Sequence, residues 1–258
     1  MKSTTSDGAA IAQVDYLLRI ADSTLILGQR VSEWCGHGPI LEEDIALANT
    51  ALDMIGQARL LLGHAGKLDG RGRDEDQFAF LRAEGEFRNV TMVELPNYDF
   101  ARTVLRNFLF CSFLLRLWQA LSASRDAELA AIAAKSLKET RYHVRHAADW
   151  TLRLGDGTDE SRLRMQTALD DLWPYTAELF APSTEDDAAA DSGFGVAWSS
   201  LQALWEAGVL PVLADATLRS PVPGAFLSRG KNGIHSEHLG RLLAEMQFLQ
   251  RAYPGNTW

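Results

Sequence analysis

Apolar side chains recur at three- and four-residue intervals along almost the whole chain, the spacing of one helix face. Val14, Leu17, Leu18, Ala21, Leu25, Gly28, Val31 and Cys35 make the first stripe. Gly36, Gly38 and Pro39 close it, because glycine accepts a left-handed cap and proline cannot extend a helix. The second segment runs from about Leu41 to Lys67 and carries two stripes. One is Ile45, Ala48, Leu52, Ile55, Arg59 and Leu62; the other is Leu47, Ala51, Met54, Ala58, Leu61 and Ala65. Apolar residues on two faces predict a helix buried on more than one side.

Between Asp69 and Pro96 the periodicity weakens. Glycines and charges from Asp69 to Asp76 read as a solvated loop, with a short helix over Phe78 to Arg82. Asn97 is the expected N-cap of a third long helix bearing Phe100, Val104, Phe108, Cys111, Leu115, Trp118 and Leu121. Ser124 is the expected cap of a fourth, whose stripe includes Leu129, Ile132, Ser136, Thr140, His143 and Ala147. Further on, the pattern predicts a fifth helix over Asp159 to Phe180 and an acidic loop over Pro182 to Gly193. A sixth helix around Trp198 to Val212 should kink at Pro211, and a seventh spans Leu239 to Tyr253.

Four long helices in two pairs, separated by a connection of about 25 residues, are the signature of a bundle with a crossover, since simple bundles use short connections. The expected fold is all-α: a ferritin-like four-helix bundle with additional C-terminal helices. Residues 1–258 form one domain in this reading, with 1–12 flexible. Composition agrees: 37 Leu and 35 Ala stand against 10 Val and 8 Ile. That ratio disfavours sheets.

A formal net charge of −9 argues against non-specific binding of nucleic acid or anionic membrane. The apolar stretch from Thr103 to Leu121 contains Arg106 and Arg116, so no uninterrupted run reaches a membrane span. The N-terminus lacks the apolar core of a signal peptide. Cys35 and Cys111 are far apart and read as two buried small hydrophobes in a reducing compartment. The expected location is cytoplasmic.

A ferritin-like bundle poses a chemical question. Di-iron versions place one Glu on each of two helices and a Glu-x-x-His pair on each of the others, because residues i and i+3 share a face and reach one metal. Here Thr140 stands three residues before His143, and Glu139 is one position off. On the second helix the comparable positions are Met54 and Gln57. Glu-x-x-His occurs nowhere. These positions read as degenerate, with no metal held by the chain. His235 and His238, spaced i, i+3, are a weak zinc signal. No Gly-x-Ser-x-Gly elbow is present, and Gly155-Asp-Gly157 reads as a helix stop.

Several blocks, in order along the chain, carry a resemblance. They run from Gly28 to Pro39, Asp44 to Asn49, Leu52 to Arg59, Lys138 to His143 and Trp173 to Phe180, and from His235 to Gly240, Ala244 to Gln247 and Tyr253 to Trp258. Together they resemble the C-subunit family of bacterial phenylacetyl-CoA epoxidases, multicomponent monooxygenases. The resemblance implies a ferritin-like fold and a noncatalytic structural subunit that stabilises a di-iron catalytic A subunit in aerobic phenylacetate degradation. Electrons would come from NADPH through a reductase component. Phenylacetyl-CoA would be held mainly by the partner. A family segment near the CoA ester resembles Glu86, Phe87, Arg88 and Asn89, with Arg88 placed to meet a phosphate. Two alternatives stay open: an autonomous di-iron oxygenase using Glu139 and His143, and a homo-oligomeric helical scaffold.

Overall fold

The computed structural model describes residues 3–222 and 224–256, with side chains from Ala10 onward. Among the described residues the structure is helical, and its only strand-like feature is an isolated bridge between Arg229 and Ile234. The chain divides into two compact units, Met1–Pro96 with Arg229–Trp258, and Asn97–Ser228.

The first unit is built on a helical hairpin, α1 (Ser3–Ser32) and α2 (Leu41–Asp69). Backbone helix therefore reaches back into the segment expected to be flexible; Met1 and Lys2 lie outside the described residues. α1 ends at Ser32, so Cys35 sits exposed in the following turn rather than in a core. Gly28 lets the two helices close: a Cβ there would lie 2.9 Å from Ile55 Cγ1. On α2 the stripe Leu47, Ala51, Met54, Ala58, Leu61 and Ala65 is buried. The other stripe is buried only in part: Leu62 is buried and Ala48 and Ile55 half-buried, but Ile45 is 53% and Leu52 67% exposed, with Leu41 at 73%. The expectation of burial on two sides thus holds fully for one side and partly for the other.

The crossover is more ordered than its composition suggests. α3 spans Glu75–Phe80, starting earlier than expected because Asp74 and Gln77 form a reciprocal capping box. Two 3-10 turns follow, Glu84–Glu86 and Thr91–Glu94. The C-terminal part closes this unit with α10 (Glu237–Met246) and α11 (Phe248–Ala252). The expected single helix breaks at Gln247, whose buried amide turns inward to donate to the Ala79 and Arg82 carbonyls, both at 3.1 Å.

The second unit is built on α4 (Phe100–Leu121) and α5 (Ala127–Gly155). α4 is long and apolar enough by length and composition to cross a membrane, but most of it is buried inside the chain. Both expected caps are displaced by two residues onto a carboxylate. Asp99 accepts from Arg102 N at 2.9 Å, while Asn97 receives Arg106 Nη2. Asp126 accepts from Leu129 N at 2.7 Å, while Ser124 donates to the Phe194 carbonyl. A charged acceptor gains from the positive helix end as well as from the hydrogen bond.

The expected fifth helix is three pieces: α6 (Asp159–Leu172), a 3-10 turn Trp173–Tyr175 and α7 (Thr176–Phe180). Pro174, lacking an N–H, explains the break. The acidic segment is not a loop but α8 (Thr184–Ser192). Ser183 caps it, three acids fill its first turn, and Gly193 closes it at φ 72°. α9 (Gln202–Asp215) tolerates Pro211 inside it. Trp205 anchors α9 by donating from Nε1 to the Leu109 carbonyl at 2.9 Å.

Candidate functional site

Among the described residues no catalytic constellation emerges, but a dense set of buried polar contacts does. It lies in the first unit, where α1 holds the crossover. Asp22 sits on α1 and is fully buried. Its carboxylate takes a bidentate grip from Arg82, one arm at 2.9 Å, and a further bond from Arg88 N at 2.8 Å. Arg82 is itself 4% exposed. Its Nε donates to the Phe78 carbonyl at 2.6 Å, Nη1 also reaches the Glu86 carbonyl, and its guanidinium lies 4.3 Å from the Phe87 ring centroid. Ser23, next along α1, accepts from Val90 N at 3.1 Å. A chain segment without regular structure must satisfy its backbone groups somewhere. Here α1 side chains satisfy them.

Glu94 is the second buried acid. Oε1 accepts from Ser236 N at 2.6 Å; Oε2 accepts from Asn89 Nδ2 and from His235 Nδ1, both at 3.0 Å. The other ring nitrogen of His235 faces the Phe87 carbonyl at 3.1 Å. Two acceptors flank this imidazole, an arrangement that suits the doubly protonated ring. Burial alone pushes the His235 pKa down. The hydrogen bond and charge of Glu94, with the Phe87 carbonyl and the Glu84 charge, outweigh burial and raise it above the usual histidine value. The Glu94 carbonyl in turn receives Arg30 Nε and Nη2, at 3.0 and 2.8 Å.

The Glu86–Asn89 segment lies inside this assembly. Phe87 and Asn89 are fully buried, with the Asn89 amide committed to Glu94. Glu86 is exposed, and its carboxylate caps the preceding turn through Ala83 N. Arg88 is partly exposed; its Nε meets Asp15 at 3.1 Å and its Nη1 meets the Gly85 and Phe87 carbonyls. Of the four, only Glu86 and Arg88 reach solvent.

The positions expected to be degenerate metal ligands sit on buried faces. Met54 and Gln57 lie on the inner face of α2, and Thr140 and His143 on that of α5. A carboxylate-rich iron site does not fit these residues, which offer one imidazole, one thioether, one amide, one hydroxyl and no carboxylate. Among the described residues no group of three or more His, Cys, Asp or Glu side chains is placed to hold a metal ion. His235, weighed as half of a zinc pair, is instead the partner of Glu94. Asp44 accepts from Gly38 N, and Arg59 pairs with Glu75.

Sequence reasoning missed Asp22, Arg82 and Glu94. For Glu94 the usable signal was an acid between Val93 and Leu95, and an acid so placed needs a buried partner. Asp22, flanked by Arg19, Ser23 and Thr24, carries no such signal.

Comparison with known proteins gives two matches. The family described as "Phenylacetic acid catabolic protein" matches residues 1–258. A curated protein of Escherichia coli (strain K12), the C subunit of 1,2-phenylacetyl-CoA epoxidase, is 49% identical over 243 residues. The match covers 94% of this chain and 98% of that protein.

Proposed function

The chain belongs to the phenylacetic acid catabolic protein family, and on that footing we propose that it is a noncatalytic subunit of phenylacetyl-CoA 1,2-epoxidase. Its work is structural: it stabilises a di-iron catalytic A subunit, which takes electrons from NADPH through a reductase component in the cytoplasm. The observation that carries this reading is the pair of buried helix faces bearing Met54 with Gln57 and Thr140 with His143, where an iron-binding chain needs Glu and His. A chain without those ligands contributes to oxygen chemistry only by shaping its neighbour.

Iron analysis checks this directly. The chain purified alone should hold substoichiometric iron and show no epoxidation, whereas iron and turnover should both appear in its complex with the A subunit. His143→Ala should leave the turnover of the complex intact. Stoichiometric iron with turnover by this chain alone would overturn the reading.

Within the same reading, phenylacetyl-CoA is held mainly by the partner, and the Glu86–Asn89 segment meets the CoA ester through Arg88, the one cation of that segment at the surface. Arg88→Ala in the assembled enzyme should raise KM for phenylacetyl-CoA about fivefold with kcat held, the size of one exposed charge-assisted contact. An unchanged KM retires this contact without touching the subunit assignment.

A further inference from the structure

We infer that His235 is a pH-sensitive latch: protonated, it fastens the turn leading into α10 to the crossover, and neutral, it lets that turn and the start of α10 open. The inference stands apart from the subunit reading, since every group in it belongs to the first unit of this chain.

Hydrogen-bond counting is the first observation. The His235 side chain is fully buried. Nδ1 lies 3.0 Å from Glu94 Oε2 and Nε2 lies 3.1 Å from the Phe87 carbonyl. A carboxylate and a carbonyl are both acceptors. An imidazolium carries two N–H groups and meets both, whereas a neutral imidazole carries one. Whichever tautomer the neutral ring takes, one lone pair is left facing an oxygen. Burial keeps water from replacing the lost bond, so the loss is felt in full.

The charges around the ring act on the same equilibrium. Burial disfavours the imidazolium, but the Glu94 carboxylate, the Phe87 carbonyl and the Glu84 charge outweigh it. Glu84 lies against α10, with Oε2 2.7 Å from where a Cβ on Gly240 would stand. Two cations are close by on other elements. Arg88 Nη1 donates to the same Phe87 carbonyl at 2.9 Å, and Arg30 of α1 donates to the Glu94 carbonyl and, at 3.4 Å, to that of His238. Glu237 stands in the first turn of α10 itself.

The second observation is how the C-terminal segment is pinned to the crossover. Gly230 N donates to Thr91 Oγ1 at 3.2 Å. Ser236 N donates to Glu94 Oε1 at 2.6 Å. Gln247 donates to the Ala79 and Arg82 carbonyls, and Arg251 to those of Phe80 and Arg82. The first and last pins use a hydroxyl, an amide and a guanidinium that stays charged to above about pH 12. The middle pin shares its acceptor, Glu94, with an imidazole. A neutral His235 therefore loosens the middle and leaves both ends fastened. The stretch that opens is bounded by Gly230 and Gln247.

The test is hydrogen–deuterium exchange of the full chain, read peptide by peptide and corrected for the intrinsic pH dependence of amide exchange. The Ser236 amide reports directly, because Glu94 is its acceptor. As the pH rises above about 6.5, the usual histidine value, protection of residues 233–243 should fall at least about tenfold, the equivalent of one hydrogen bond to a charged group. Residues 247–252 and α5 should keep theirs. In His235→Gln protection of 233–243 should be low from the start and independent of pH. Gln247→Ala leaves the latch in place and removes the far pin, so the same rise in pH should there carry the loss into α11. Wild-type protection of 233–243 that does not change with pH overturns the latch. So does an equal pH dependence in His235→Gln, or a wild-type loss that extends to 247–252 or to α5.

Discussion

Asp22→Ala should lower the unfolding free energy by about 3–5 kcal/mol, the loss typical when one member of a buried ion pair is removed. The magnitude follows from what is left behind. Arg82 stays 4% exposed with its charge and without its carboxylate, and Arg88 N loses its acceptor. Denaturant unfolding monitored by tryptophan fluorescence reads the loss as a lower midpoint. Replacing both partners, Asp22→Leu with Arg82→Met, should recover much of it, because the pair's net contribution is small once no charge is stranded. A single variant as stable as the wild type would mean that Arg82 reaches water in the native state.

His235→Gln has the second large effect, about 2 kcal/mol at mildly acidic pH, the scale of a hydrogen bond to a charged group. Its pH dependence carries the sharper information. The folded His235 pKa lies above the unfolded value, which is about 6.5. Below that unfolded value the ring is protonated in both states, and the Glu94 contact stabilises fully. Above it the unfolded ring is neutral, and the contribution falls as pH rises through the folded value. The stability gap between wild type and His235→Gln should therefore shrink as the pH rises above about 6.5. A gap that widens with pH would mean that His235 is buried neutral.

The long helices were legible because each has a wide apolar stripe, and the period of 3.6 survives local exceptions. Boundaries failed where two signals competed. Asn97 and Ser124 are good caps, but Asp99 and Asp126 add charge at the same helix ends and win. The acidic stretch after Pro182 has loop-like composition, yet Ser183, its first-turn acids and Gly193 bracket a run of alanines and make α8. The degenerate positions could be read directly, since the absence of Glu-x-x-His is a fact of the sequence. The partners of Asp22 and Glu94 could not. Arg82 lies 60 residues from Asp22 and His235 lies 141 from Glu94, and periodicity carries no information about such distances.

The second stripe of α2 marks another boundary of sequence reasoning. Its apolar spacing predicts burial, but Ile45 and Leu52 stand exposed.

The division of the chain sets an order of events during synthesis. Asn97–Ser228 is one continuous stretch of chain, whereas the other unit joins Met1–Pro96 to Arg229–Trp258. Asp22 can find Arg82 early, since both lie in the N-terminal part. Glu94 must wait for His235 and Ser236, and the Ala79 and Arg82 carbonyls for Gln247. Until translation is nearly finished, Glu94 has Asn89 as a partner but lacks His235 and Ser236. A ribosome that stops near Ser228 releases a chain whose second unit is whole and whose first is not.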